Sequence, residues 1–267
     1  MKIIGLHAKA RSGKDEVAKI LCKMYGFKQI SFADFVKELT IKYFDQTHEQ
    51  VYEKKNKESR LLLQGVGQSI RENLTSLYAA YNTDESPDMV SIDPINGFPR
   101  WVNQIAMKDF ELPPAYLGGK RKKTKIVLNG VQNMFMDNLE DFYTTANGKG
   151  EDFFINHLFN SCTEDITYIL SDVRYLNEKE AVENNKGYVI KITRTDKAFI
   201  EHGDMHPSEI ELDLETGWFY HISNEHKTDW KEFLVMQSTN MIRKLDSVEF
   251  FSDEDKKKFK INISEHE

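Results

Sequence analysis

Ala8-Lys9-Ala10-Arg11-Ser12-Gly13-Lys14-Asp15 nearly matches G-x-x-x-x-G-K-[ST], a pattern that cradles phosphate groups. In such a loop the backbone N–H groups converge on phosphate oxygens, and the helix that opens there favours negative charge. Gly13 allows close backbone approach, and Lys14 supplies a mobile cation for the outer phosphates. Ala10, Arg11, Ser12, Gly13, Lys14, Asp15 and Glu16 are therefore the candidate phosphate-binding residues. Two positions depart from the pattern. Ala8 stands where the first glycine belongs, and a positive φ there would strain an alanine. Asp15 replaces the hydroxyl residue that touches Mg²⁺, but aspartate is itself a good ligand for that ion. The plainer alternative is a surface helix-capping turn. Its position directly after an apolar strand and at the head of an amphipathic segment favours phosphate.

Ser171-Asp172-Val173-Arg174, with Asn177 and Glu178 just beyond, is the second constellation. It follows a strand candidate, and the C-terminal edges of strands in an open parallel sheet line the ligand crevice. An aspartate there can hold Mg²⁺ through water, and an arginine can clamp a phosphate with two parallel bonds. A salt bridge at a strand end is the competing reading. His206-Pro207-Ser208-Glu209 is equally a helix start, where Ser208 could cap and a proline such as Pro207 is tolerated early, or a pair of ligand-binding groups, His206 and Glu209. Asn224 suits either a base edge or a turn. The run Lys120-Arg121-Lys122-Lys123-Thr124-Lys125 reads as a solvated loop before it reads as a nucleic-acid patch. Trp101, Trp218 and Trp230 read as packing residues, and Phe153, Phe154 and Leu158 as the apolar face of a helix.

The elements that must position these groups show in the hydrophobic pattern. Ile3, Ile4 and Leu6 form a short buried strand; Val17, Ala18, Leu21, Cys22 and Tyr25 then recur at helical spacing. Gly26 is placed as a helix C-terminal residue before a second strand over 27–32. Strand, helix and strand joined by short connections predict a parallel sheet. Residues 35–80 are mostly helical in pattern. Five of the six prolines (Pro87, Pro94, Pro99, Pro113, Pro114) fall between 82 and 125 and forbid a long helix there. Further strands are expected at 166–170, 188–192 and 218–222, with helices at 178–184 and 230–245.

Among 267 residues, 40% are hydrophobic and 12% aromatic, enough for a substantial core and too apolar for wholesale disorder. The formal net charge of −7 gives no bulk attraction to nucleic acid. Cys22 and Cys162 have neither metal-ligand spacing nor a disulfide framework. No apolar run approaches bilayer length. The chain reads as a cytoplasmic globular protein.

Taken in order, these motifs resemble the bacteriophage deoxynucleoside monophosphate kinase family of P-loop nucleotide kinases. The residues that carry the likeness begin with Gly5-Leu6, Ala10 to Asp15, and Ser31-Phe32-Ala33-Asp34 with Lys37. Leu62-Leu63-Gln64-Gly65-Val66-Gly67-Gln68 follows with Arg71-Glu72, then Asp172-Val173-Arg174 with Asn177-Glu178. Ile190 to Arg194, His206 to Glu209 and Ile222-Ser223-Asn224 complete the series. The likeness runs from residue 1 to about 245, apart from an expanded 75–150 region.

The resemblance implies an α/β, P-loop NTPase-like three-layer fold with a central parallel sheet. It further implies one domain over 1–267, an acceptor-side insertion at 75–150 and a lid near 194–215. The implied reaction is ATP-dependent phosphorylation of a deoxynucleoside monophosphate to the diphosphate, with Mg²⁺. Lys14 would contact the outer phosphates, and Asp15 and Asp172 would hold the metal. Arg71 and Arg174 would converge on the acceptor phosphate, with Asp34 and Lys37 beside it. Arg194 would come from the lid, and His206 and Glu209 would meet substrate. Neither a membrane nor nucleic acid is an expected partner; a homodimer stays open. The alternatives are a nucleotide-binding or nucleic-acid-associated regulatory protein that has lost activity, and a kinase for another small phosphorylated metabolite.

Overall fold

The computed structural model describes residues 1–9, 12–54, 59–60, 62–67, 70–71, 130, 133–134, 137–138, 141–142, 144–146, 150–194, 211–224 and 229–257. The chain forms two compact units, one from Met1–Phe32 with Ser161–Glu267 and the other from Ala33–Asn160.

The first unit is built on five parallel strands: β1 (Lys2–Ala8), β2 (Lys28–Ile30), β3 (Thr167–Leu170), β4 (Tyr188–Arg194) and β5 (Tyr220–Asn224). Their order across the sheet is β2-β3-β1-β4-β5. The central strand β1 is buried along both faces, as a strand covered by helices on both sides is. Ile4, Leu6 and Ala8 point to one face. There they meet Val17, Ala18 and Leu21 of α1 (Lys14–Tyr25), together with Ile190, Ile192, Ile222, Leu234, Met241 and Leu245. The last three lie on the closing helix, Trp230–Ser247.

The other face of β1 carries Ile3, Gly5 and His7. The helix over Leu176–Asn184 packs against β4 and β1 there. Its Val182 lies so near Gly187 that an added Cβ would fall 2.7 Å from Val182 Cγ1 and 2.6 Å from the Ile3 carbonyl oxygen. Helices therefore sandwich the sheet in the three-layer α/β arrangement of a P-loop kinase. Gly26 ends α1 in the left-handed conformation, its N–H bonded to the Cys22 carbonyl, as its place in the sequence predicts.

Two sequence expectations shift. The last strand runs over Tyr220–Asn224 rather than 218–222. Trp218 instead follows Gly217, whose φ is 76°, and its indole N–H closes a turn on the Glu215 carbonyl. Arg194, expected in a lid, is the last residue of β4 and pairs with Asn224. The rest of the lid segment through residue 210 lies outside the described residues.

In the second unit α2 (Phe32–Tyr43) leads to a π-helical turn at Glu49–Glu53. Described helical positions follow at 62–67, 70–71 and between 130 and 146. A short 3₁₀ turn at Gly150–Asp152 then precedes α3 (Phe153–Asn160). Phe153 and Phe154 are buried as their spacing predicts, and Phe153 meets Phe142 edge-on at 5.1 Å. Most of the 75–150 region, including the basic run Lys120–Lys125 and Trp101, lies outside the described residues. No helix among the described residues is long and apolar enough to cross a membrane.

Candidate functional site

The crossover from β1 to β2 runs through α1 on one face, and that from β3 to β4 through the 176–184 helix on the other. β1 and β3 are neighbours, so the chain leaves them in opposite directions. This is the switch point where open α/β sheets bind ligands. Both constellations singled out in the sequence sit at these two strand ends.

The loop after β1 is short and tightly bonded. Ser12 N–H donates to the Lys9 carbonyl at 3.2 Å, and the Gly13 carbonyl accepts from Glu16 and Val17 at the start of α1. Gly13 has φ 97°, a conformation that explains its identity. Ala8 is different. It lies inside β1, paired with Ile192, so the strain expected from a positive φ does not arise. No side chain caps α1 at Gly13, and the first-turn N–H groups of a helix have no intrahelical partner. Lys14 Nζ pairs with Asp15 Oδ1 at 2.7 Å; Asp15 is largely exposed while the lysine is mostly covered. Asp15 and Glu16 lie in the first turn, where acidic groups also complement the helix dipole. Ala10 and Arg11 lie outside the described residues.

The turn after β3 is held from three sides. Val173 N–H donates to the Leu6 carbonyl of β1, and Ser171 N–H to the Ile30 carbonyl of β2. Buried Asp172 accepts from Ser31 Oγ at 2.7 Å with one oxygen and from Phe32 N–H at 2.9 Å with the other. Buried Glu178 reaches back to the N–H groups of Arg174 (2.8 Å) and Tyr175 (3.2 Å), fixing the backbone that carries the arginine. The Ser-Asp-Val-Arg motif is thus a rigid turn bonded to both flanking strands. Roles for Ser31 and Glu178 were absent from the sequence reading. Glu178 belongs to the Asp-Val-Arg motif that carries the resemblance, and its place four residues after Arg174, at the start of a helix, is the signal for its role.

His7 is a further group not singled out by sequence. It is buried on β1, its Nδ1 lies 3.0 Å from the Val173 carbonyl, and its ring stacks on Trp218 at 5.0 Å. Because a carbonyl only accepts, Nδ1 carries the proton. Burial lowers the imidazole pKa, with Lys191 and Arg174 adding to the effect against the Val173 carbonyl and Asp213. A histidine at an inward position of an apolar strand was the available clue.

The acceptor-side candidates Asp34, Lys37 and Arg71 belong to the second unit. Lys37 Nζ contacts Asp34 at 2.5 Å and lies 4.8 Å from the Tyr52 ring centroid. Burial raises the Tyr52 pKa, helped by the charges of Asp34 and Glu38. The Arg71 guanidinium stacks 4.6 Å from the centre of the Phe154 ring. Arg174 belongs to the first unit, and His206 and Glu209 lie outside the described residues. Among the described residues no group of three or more His, Cys, Asp or Glu side chains is arranged to hold a metal ion.

No protein-family model matches the chain. The chain is 26% identical over 219 residues to an Acanthamoeba polyphaga mimivirus protein named "Putative deoxynucleotide monophosphate kinase". The match covers 79% of this chain and 82% of that protein. The likeness is distant but spans most of both chains. It is to a mimivirus protein, and nothing ties the chain to bacteriophage members in particular.

Proposed function

We propose that this protein transfers the terminal phosphoryl group of ATP to a deoxynucleoside monophosphate. The observation that carries the reading is the pairing of a Gly13-Lys14 phosphate loop with an Asp172–Arg174 turn on adjacent strands at the switch point. The distant likeness to the mimivirus protein supports it. In this reaction an acceptor phosphate oxygen bonds to the γ-phosphorus as the bond to the β,γ-bridging oxygen breaks in line, and ADP leaves. Positioning and charge stabilisation supply most of the catalysis. The N–H groups around Gly13 hold the donor phosphates, and the Lys14 ammonium exchanges Asp15 for their outer oxygens. Arg174, on its fixed turn, and Arg194, at the end of β4, neutralise the transferring group. Asp34, Lys37 and Arg71 bind the acceptor, with His206 and Glu209 as further substrate contacts.

Asp15 and Asp172 are the carboxylates proposed for Mg²⁺. Asp15 is exposed in the first turn of α1, whereas each Asp172 oxygen already accepts a hydrogen bond. That donor set fits an ion that keeps water and substrate phosphates as most of its ligands, as Mg²⁺ does. When bound, it offsets charge on the phosphate oxygens.

The test incubates the purified chain with ATP and each deoxynucleoside monophosphate and follows ADP release. Acceptor-dependent ADP with formation of a deoxynucleoside diphosphate is expected. ATP binding without turnover on any acceptor would favour a regulatory nucleotide-binding protein, the reading to which Asp15 in the hydroxyl position gives some support. Turnover only with a non-nucleotide phosphorylated metabolite would reassign the acceptor.

A further inference from the structure

The end of β5 reaches back to the phosphate loop. Asn224 Nδ2 donates to the Ser12 carbonyl at 3.0 Å, and the two residues are only 5% and 2% exposed. The same nitrogen lies 2.6 Å from where a Cβ on Gly13 would be, so the amide fills the space that a side chain would need. Asn224 Oδ1 is buried with no hydrogen-bond partner among the described residues. Turning the amide over would set its oxygen against the Ser12 oxygen, so the donor must face the loop. A buried acceptor without a partner is costly, and native proteins keep few of them. Asparagine here works against stability at one atom while bonding the loop with the other.

We infer that Asn224 is the positioning residue of the phosphate loop. A trans peptide is planar, with its C=O and N–H pointing in opposite directions. By holding the Ser12 carbonyl, Asn224 therefore turns the N–H of Gly13 away from itself and presents it to a bound phosphate. The inference rests on the proposed phosphate-binding role of the loop and adds the part that sets its geometry. It also gives position 13 a second reason to be glycine, independent of φ.

The experiment measures ATP binding by calorimetry on the full chain and its Asn224→Ala and Asn224→Asp variants between pH 5 and 8, with thermal midpoints alongside. Kinetics on the same proteins give the Michaelis constant for the acceptor. Asn224→Ala should weaken ATP binding about tenfold or more, with the acceptor constant within about twofold of wild type. Asn224→Asp has the same shape but at neutral pH sets an acceptor against an acceptor. Once protonated, its O–H can donate to Ser12. The ratio of its ATP affinity to that of wild type should therefore recover as pH falls. Wild-type affinity in Asn224→Ala overturns the inference. So does an Asn224→Asp ratio that does not change with pH, or loss of acceptor and ATP affinity in parallel with the thermal midpoint. If wild type itself fails to bind ATP, the phosphate-loop reading falls first and this one with it.

Discussion

Lys14 and His7 sit on the same strand–loop–helix segment and illustrate opposite uses of charge. The Lys14 side chain is mostly covered, and its ammonium pairs with the exposed carboxylate of Asp15. Lys14 is not among the buried core residues, so Lys14→Ala should leave the thermal midpoint nearly unchanged. Turnover should fall about 10²–10³-fold, the usual consequence of removing a group that stabilises transition-state charge. A folded variant with ordinary turnover would remove Lys14 from the active site. His7 is held neutral by burial, and its pKa is lowered in the fold. Above the ordinary value of 6.5 both folded and unfolded histidine are neutral, and His7 adds no pH dependence. Below that value the unfolded chain takes up a proton that the native site resists, so stability declines until the native ring protonates too. Denaturation midpoints from pH 7.5 to 5 should fall less steeply in His7→Gln than in wild type. Half-buried His157, also shifted down, leaves a residual slope in both. Identical slopes would show that His7 is not held neutral.

At the scale of elements, the site depends on how closely the backbone of one element approaches another. Gly187 immediately precedes β4 and lies against the end of the preceding helix, where a Cβ would press on two carbonyl oxygens and Val182. Two of those three neighbours are backbone atoms that cannot rotate away. Gly187→Ala should therefore cost about 1–3 kcal/mol, the range for overpacking in a tight core. Urea unfolding would measure it, and an unchanged midpoint would mean that the helix and strand shift apart freely. Gly26, with nothing within 4 Å of its built Cβ, owes its identity to φ alone. The two glycines share a residue type and differ in cause.

At the scale of the whole molecule the candidate residues fall in different units. Gly13, Lys14, Asp172 and Arg174 lie in the first, and Asp34, Lys37 and Arg71 in the second. Arg71 rests on Phe154, a contact that orders its planar guanidinium, and the proposed reaction gives that group the acceptor phosphate. Arg71→Ala should raise the Michaelis constant for the monophosphate roughly ten- to hundredfold, the loss of charged hydrogen bonds worth about 1.5–3 kcal/mol. ATP affinity, measured separately, should stay near wild type. A defect confined to ATP would move Arg71 to the donor side, and no defect in either would leave it as a packing cation on Phe154.

The strand and helix on either side of Gly13, and the turn that carries Asp172-Val173-Arg174, are legible in the sequence because each is a local pattern. Apolar runs, helical spacing and glycines at turns act within a few residues. The first turn after β1 needs only Gly13 and the helix behind it, and both are written in adjacent residues. What Asn224 does could not be read that way. It meets Ser12 across 212 positions of chain, and only the sheet order, with β4 between β1 and β5, decides that it can. The same holds for Asp172 bonding Ser31 and for His7 stacking on Trp218. Hydrophobic period determines which elements form. Which strand ends become neighbours is set by the packing of helices on both faces of the sheet, and this alone turns separate motifs into one candidate site.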